Sequence, residues 1–139
     1  LNWEPNLSKY ARLPIDIRGR RPYVRATIIL DSGAEIEHSM LLDTGANEPM
    51  SLPESLAEEK EMPMEDSGWV GGVGGMRKGK KSKIKGVKFD TETIALNSVG
   101  IDPTTRAPRG GRHEPGNIGS GLFEGREVIV DYSHRAVYV

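Results

Sequence analysis

The chain has no cysteine, which removes disulfides, thiolate metal sites and thiol nucleophiles at once. It has no run of about 20 apolar residues, the length a membrane helix needs, and no basic-then-apolar signal segment. Charge of one sign is not in excess. With 19 Lys and Arg against 20 Asp and Glu, the formal net charge is -1, and no global field draws in nucleic acid or an anionic membrane. Aromatic residues make up only 6% and apolar residues 36% of the 139, a modest supply for one core, which favours an oligomer that buries further surface. The lack of cysteine leaves cytosol and periplasm both open as compartments. A chain that opens at Leu1 is also compatible with a leader already removed.

What the chain does have is 17 Gly and 9 Pro, spread so as to favour many short strands and turns over long helices. The alternation in Leu13-Pro14-Ile15-Asp16-Ile17 predicts a strand closed by a turn at Arg18-Gly19-Arg20. Residues 24–30 and 36–42 are β-rich runs around Asp31-Ser32-Gly33-Ala34-Glu35, which predicts a hairpin. A three-residue loop centred on Gly33 sets Leu30 opposite Ile36, Ile28 opposite His38, Ala26 opposite Met40 and Val24 opposite Leu42. Met50-Ser51-Leu52 reads as a short strand, and Pro53-Glu54 as the start of a brief helix to Lys60, ended by Pro63. Residues 67–75 hold five glycines, too many for a strand centre and suited to a flexible hairpin tip. Two or three more strands are expected across residues 83–85, 87–89 and 91–96, and a terminal hairpin around residues 133–135. Residues 103–115, with three Pro, two Gly and four basic residues counting His113, read as an exposed loop of a composition suited to disorder. Residues 1–11 form a lead-in segment in which Trp3 is a packing candidate, and residues 12–139 a single domain.

The segment most suggestive of chemistry is Leu41-Leu42-Asp43-Thr44-Gly45-Ala46. A strand that runs into a tight turn here leaves a carboxylate where it ends. Gly45 lets the backbone close beneath that carboxylate, the Thr44 hydroxyl is free to hydrogen-bond across the site, and Ala46 leaves room for a neighbouring chain. An ordinary turn is the alternative, because such residues favour turns anywhere. Asp31-Ser32-Gly33-Ala34 has nearly the same pattern and serves as a control. On a strand rising about 3.3 Å per residue the two aspartates lie roughly 20 Å apart or more, too far to form one pair. Asp31 falls where the hairpin needs its turn, so Asp43 keeps the chemical reading.

These residues resemble the retropepsin-like aspartic peptidases, a family that includes retroviral proteases and bacterial single-lobe relatives. Residues 41–46 match its apolar-apolar-Asp-Thr-Gly-Ala loop. Trp69-Val70-Gly71-Gly72-Val73-Gly74-Gly75 looks like its glycine-rich substrate-binding flap. Asn117-Ile118-Gly119, then a short helix over residues 120–125 and the strand Val128-Ile129-Val130-Asp131-Tyr132, is similar to its C-terminal pattern, with Ile118 and Gly119 as active-site floor. The three anchors keep the family's order and spacing and cover residues 12–139. Two departures stand out: the loop of residues 103–115 is longer than in retroviral enzymes, and Ser120 stands where Arg, Asn or Asp is common. The resemblance is nearest to bacterial envelope members that often carry a PDZ domain afterwards, which implies the cell envelope or periplasm.

The resemblance implies an all-β acid-protease barrel with one short C-terminal helix. It further implies a homodimer in which Asp43 of each chain forms a dyad that activates water against an extended peptide or protein substrate, with no metal or cofactor required. A catalytically silent barrel that binds peptides or dimerises is the rival reading. Other chemistries find less support. Residues 77–88 carry seven Lys or Arg among twelve, but without clustered aromatics they read as a solvated strand face and not a nucleic-acid site. His38, His113 and His134 lack metal-like spacing, so solvent or turn roles suffice for them. No Gly-x-Ser-x-Gly elbow occurs.

Overall fold

The structure, a computed structural model, describes residues 5–72, 74–90 and 92–139. Trp3, the packing candidate of the lead-in, lies outside the described residues. A 3-10 turn at Leu7–Lys9 precedes β1 (Arg12–Arg18), β2 (Arg21–Leu30) and β3 (Glu35–Asp43). Then come β4 (Met50–Pro53), α1 (Glu54–Glu59), β5 (Glu65–Gly72) and the long β6 (Gly75–Phe89). The chain ends with β7 (Glu92–Ala95), β8 (Ser98–Asp102), β9 (Gly116–Gly119), a 3-10 turn at Ser120–Phe123, β10 (Ile129–Asp131) and β11 (Ala136–Tyr138). The fold is all-β, and its C-terminal helix is that single 3-10 turn. Among the described residues, no helix is long and apolar enough to cross a membrane.

The sheet runs β10-β11-β1-β2-β3-β9-β4-β8-β6-β5, with β7 on β6, and a further pairing of β2 with β6 closes it on itself. The closed circuit is therefore β2, β3, β9, β4, β8 and β6. Each of these strands sends one fully buried side chain into the interior: Ile28, Met40, Ile118, Leu52, Val99 and Val87 in that order. Closure removes sheet edges and fills the barrel with the chain's limited apolar stock. Truncating such a side chain to alanine costs about 2–5 kcal/mol.

The β2–β3 hairpin forms, but in a different register. Ile28 pairs with Ile36, Ala26 with His38 and Val24 with Met40. The loop keeps the three residues expected but is centred on Ser32 and not on Gly33: Leu30 N donates to Ala34 O at 2.8 Å and Gly33 N to Leu30 O at 2.9 Å. The slip is an even number of residues, so the side chains assigned to the inner face stay there. Gly86 does not divide β6; a Cβ there would lie 2.6 Å from Ile94 O, so glycine admits β7 against an unbroken strand. Of its seven cations, four carry ion pairs: Arg77 with Asp102, Lys80 with Glu54, Lys81 with Glu65 and Lys88 with Glu35. All four stay substantially exposed, so the run is a solvated strand face laced with surface ion pairs.

The stretch read as suited to disorder, residues 103–115, is exposed but held at its base. Ser55 N donates to Thr104 Oγ1 at 2.8 Å, and Thr105 N and Oγ1 donate to the Glu114 carboxylate at 3.2 and 2.6 Å. The His113 ring is only 8% exposed and lies 2.8 Å from Ser55 Oγ and 3.0 Å from Glu59. His38 Nε2 donates to Glu114 O at 2.7 Å. Two of the three histidines are thus anchors between elements, not solvent or turn residues. Burial first, then the neighbouring His113 and Arg25, holds His38 below its ordinary value, against the opposing pull of the Glu114 carbonyl.

Candidate functional site

Asp43 is the last residue of β3, and its position follows from how β9 is threaded. β9 lies between β3 and β4, parallel to the first and antiparallel to the second, so that Asp43 stands beside Gly119 and Met50 beside Ile118. Three glycines make this possible. A Cβ on Gly116 would meet Ser51 O at 2.5 Å and Met40 at 2.7 Å. One on Gly119 would collide with the carbonyl oxygens of Glu48 and Ala46, and one on Gly121 with that of Asn47. The backbone of residues 46–49 is therefore pressed directly onto that of residues 119–121.

Hydrogen bonds fix the loop in place. Gly45 N donates to Asp43 Oδ1 at 3.0 Å, and Ala46 N to Asp43 O at 3.1 Å. Gly119 N donates to Pro49 O at 3.1 Å. Ser120 donates twice to Ala46 O, from its backbone N at 2.8 Å and its hydroxyl at 2.9 Å. Asp43 and Ala46 are half-buried, while Thr44 and Gly45 are exposed.

A cleft of about 580 Å³ opens above this loop and is roofed by the β5–β6 hairpin. Asp43, Gly45, Ala46, Trp69, Val70, Gly71, Gly72 and Gly119 all line it. Ile118 is fully buried beneath as core, and Thr44, Gly74 and Gly75 do not line it. Val73 lies outside the described residues. The glycine-rich stretch is ordered strand almost to its end: Val70 pairs with Arg77, Gly71 with Met76 and Gly72 with Gly75, which has φ +102°. Missing side chains weaken a strand centre, but here the paired β6 backbone supplies the hydrogen bonds. Trp69 is 67% exposed, so it is not a packing residue of the hairpin base.

The cleft also holds residues that sequence reasoning missed. Arg77 on β6 donates to Asp102 at the end of β8 at 2.5 Å, and Ser51 Oγ donates to the other Asp102 oxygen at 2.5 Å. These three, with Asn47, Glu48, Met50 and Asn117, complete the lining. No local pattern marks Asp102 or Ser51, because only strand pairing brings them together. Ser120 was legible solely as a departure from the family pattern, yet its hydroxyl helps hold the loop. Among the described residues, no group of three or more His, Cys, Asp or Glu could hold a metal ion.

With this geometry, the protein superposes on a retropepsin-like aspartic protease from Rickettsia conorii with a TM-score of 0.61 and 12% identity, over 99% of this chain and 94% of that one. The fold is retropepsin-like. EIAV protease complexed with the inhibitor HBY-793 is similar as well, with a TM-score of 0.56 and 17% identity over 92% of this chain and 100% of that one. At such identities the likeness is one of retropepsin-like architecture. No family model matches the sequence, and no curated protein matches it by sequence.

Proposed function

We propose that the protein is an aspartic endopeptidase that hydrolyses peptide bonds in extended peptides, with Asp43 as catalytic carboxylate and a homodimer as the active form. The observation that carries this reading is the carboxylate of Asp43, held by Gly45 N at 3.0 Å and facing a cleft roofed by a hairpin, within a retropepsin-like fold. One chain offers one such carboxylate. The second is Asp43 of a twofold-related copy, which makes the dimer interface part of the active site.

Two carboxylates about 3 Å apart cannot both ionise cheaply, so the pair shares one proton and titrates as a unit. The ionised member takes a proton from a water as the water attacks the peptide carbonyl. The protonated member donates to the oxygen on which charge develops. Thr44, Gly45 and Ala46 hold the loop, and Ile118 and Gly119 its floor. Residues 69–75 act as a flap whose strand edges bond an extended substrate and exclude water.

The test is hydrolysis of an unfolded protein at mildly acidic pH across a range of protein concentrations. Activity per chain should rise steeply with concentration where dimers form, and Asp43→Asn should remove it. Equal activity in both proteins would eliminate Asp43 as catalyst. Absence of hydrolysis in both, with peptide binding retained, would favour the silent peptide-binding barrel.

A further inference from the structure

We propose that the arginine hairpin of residues 109–112 is a docking element for an acidic segment of a protein partner. Arg109-Gly110-Gly111-Arg112 is a tight two-residue hairpin. Arg109 N donates to Arg112 O at 3.1 Å and Arg112 N to Arg109 O at 3.0 Å, while Gly110 and Gly111 take φ of +57° and +72°. Positive φ at both central positions is the turn that closes a twisted hairpin, and glycine adopts it freely. The arrangement sets two arginines directly across from one another, where like charges repel. Both are exposed, and among the described residues neither forms an ion pair.

The hairpin stands on a firm base, so the repulsion is not relieved by the whole loop moving away. His113 next to it is locked between Ser55 and Glu59, and Glu114 is held by Thr105 and by His38. Arg112 also forms one rim of a groove of about 620 Å³ between the outer face of β2 and β3 and helix α1. The acids of that groove are already engaged: Asp16 with Arg18, Glu37 with Arg25, and Glu59 with Lys60 and His113. Of the arginines on the rim, Arg112 alone lacks a carboxylate among the described residues. Carboxylates are the matching occupant, because the planar guanidinium takes them bidentately and a carboxylate between two guanidiniums cancels their repulsion. Single-stranded nucleic acid fits less well. The hairpin carries no aromatic residue, and the Tyr23 ring in the groove is covered by Arg18 at 4.0 Å. This surface is independent of the reading of Asp43.

Fluorescence anisotropy tests it, with a labelled peptide of alternating Glu and Gly as probe, a Lys-Gly peptide as its opposite, and a DNA duplex of matched charge. The full chain should bind the Glu-Gly peptide, more weakly as salt is raised, and prefer it to both other probes. Arg109→Gln with Arg112→Gln should raise Kd about tenfold or more, while the charge-matched pair Lys83→Gln with Lys85→Gln stays within about twofold. The Arg double variant should also keep or raise the Tm, because it removes a repulsion; a structural role for the arginines would lower it. Failure of the wild type to bind, equal loss in both double variants, a lowered Tm, or tighter binding to the duplex would each overturn the proposal.

Discussion

Asp31-Ser32-Gly33-Ala34 and Asp43-Thr44-Gly45-Ala46 differ by one hydroxy amino acid and sit at opposite ends of the same strand, β3. Around the first, the turn closes on itself: Ala34 N donates to Ser32 Oγ at 3.2 Å, and Gly33 takes φ +89°. Around the second, a distant part of the chain completes the structure. β9 comes in alongside, Ser120 bonds Ala46 O, and a cleft opens over the carboxylate. The same letters serve as a hairpin turn in one place and as a pre-organised carboxylate in the other. Their own turns differ, with positive φ at Gly33 but not at Gly45, and the second is completed by the strand that arrives some seventy residues later.

That contrast is open to direct attack. On the proposed function, Asp43→Asn should lower kcat for peptide hydrolysis by about 10²–10⁴-fold, the usual weight of a general acid-base group. Asp31→Asn should leave kcat within about twofold, and a comparable loss in both would erase the distinction. Gly119→Ala forces a Cβ into the backbone of residues 46–48 and should cost about 3 kcal/mol in denaturant unfolding. Gly33→Ala meets only strained φ, with Lys85 Nζ 3.9 Å away, and should cost about 1 kcal/mol. Similar midpoints for the two variants would show that the contact of loop and floor is not tight.

Smaller effects sharpen the picture further. Ser120→Ala deletes one of two bonds to Ala46 O and should cost about 1 kcal/mol, with kcat lowered more than KM is raised. Ser32→Ala should change stability by less and kcat not at all. His38, on the strand that joins the two segments, has a folded value below its ordinary 6.5, chiefly through burial. The unfolded chain then binds the proton more readily, so stability is undiminished above pH 6.5 and declines as pH falls from there toward the depressed value. Thermal unfolding between pH 7.5 and 5 should show this slope, and His38→Leu should flatten it.

Much of this was legible in the sequence wherever local pattern suffices. The alternation around Ile15 and Ile28, the turn at Asp31 and the brief helix after Pro53 all depend on residues close together, and they formed. The register of β2 on β3 escaped because three-residue loops centred on Ser32 and on Gly33 bury the same face. β8 was not read at all, since Ser98-Val99-Gly100-Ile101-Asp102 is short and holds a glycine that weakens any strand signal. The cleft residues Arg77, Asp102 and Ser51 were invisible for a deeper reason: each becomes a neighbour of the others only through pairing between distant strands. The loop of residues 103–115 misled by composition, because its Pro and Gly content says nothing of the bonds made by His113, Thr104 and Glu114 at its base.

The most direct measurement of the central claim is a crystal structure of the assembled protein with an uncleavable peptide in the cleft. The expected result is two chains related by a twofold axis, with their Asp43 carboxylates about 3 Å apart beneath the peptide and the flaps closed over it. An active assembly in which the two Asp43 carboxylates stay far apart would contradict it.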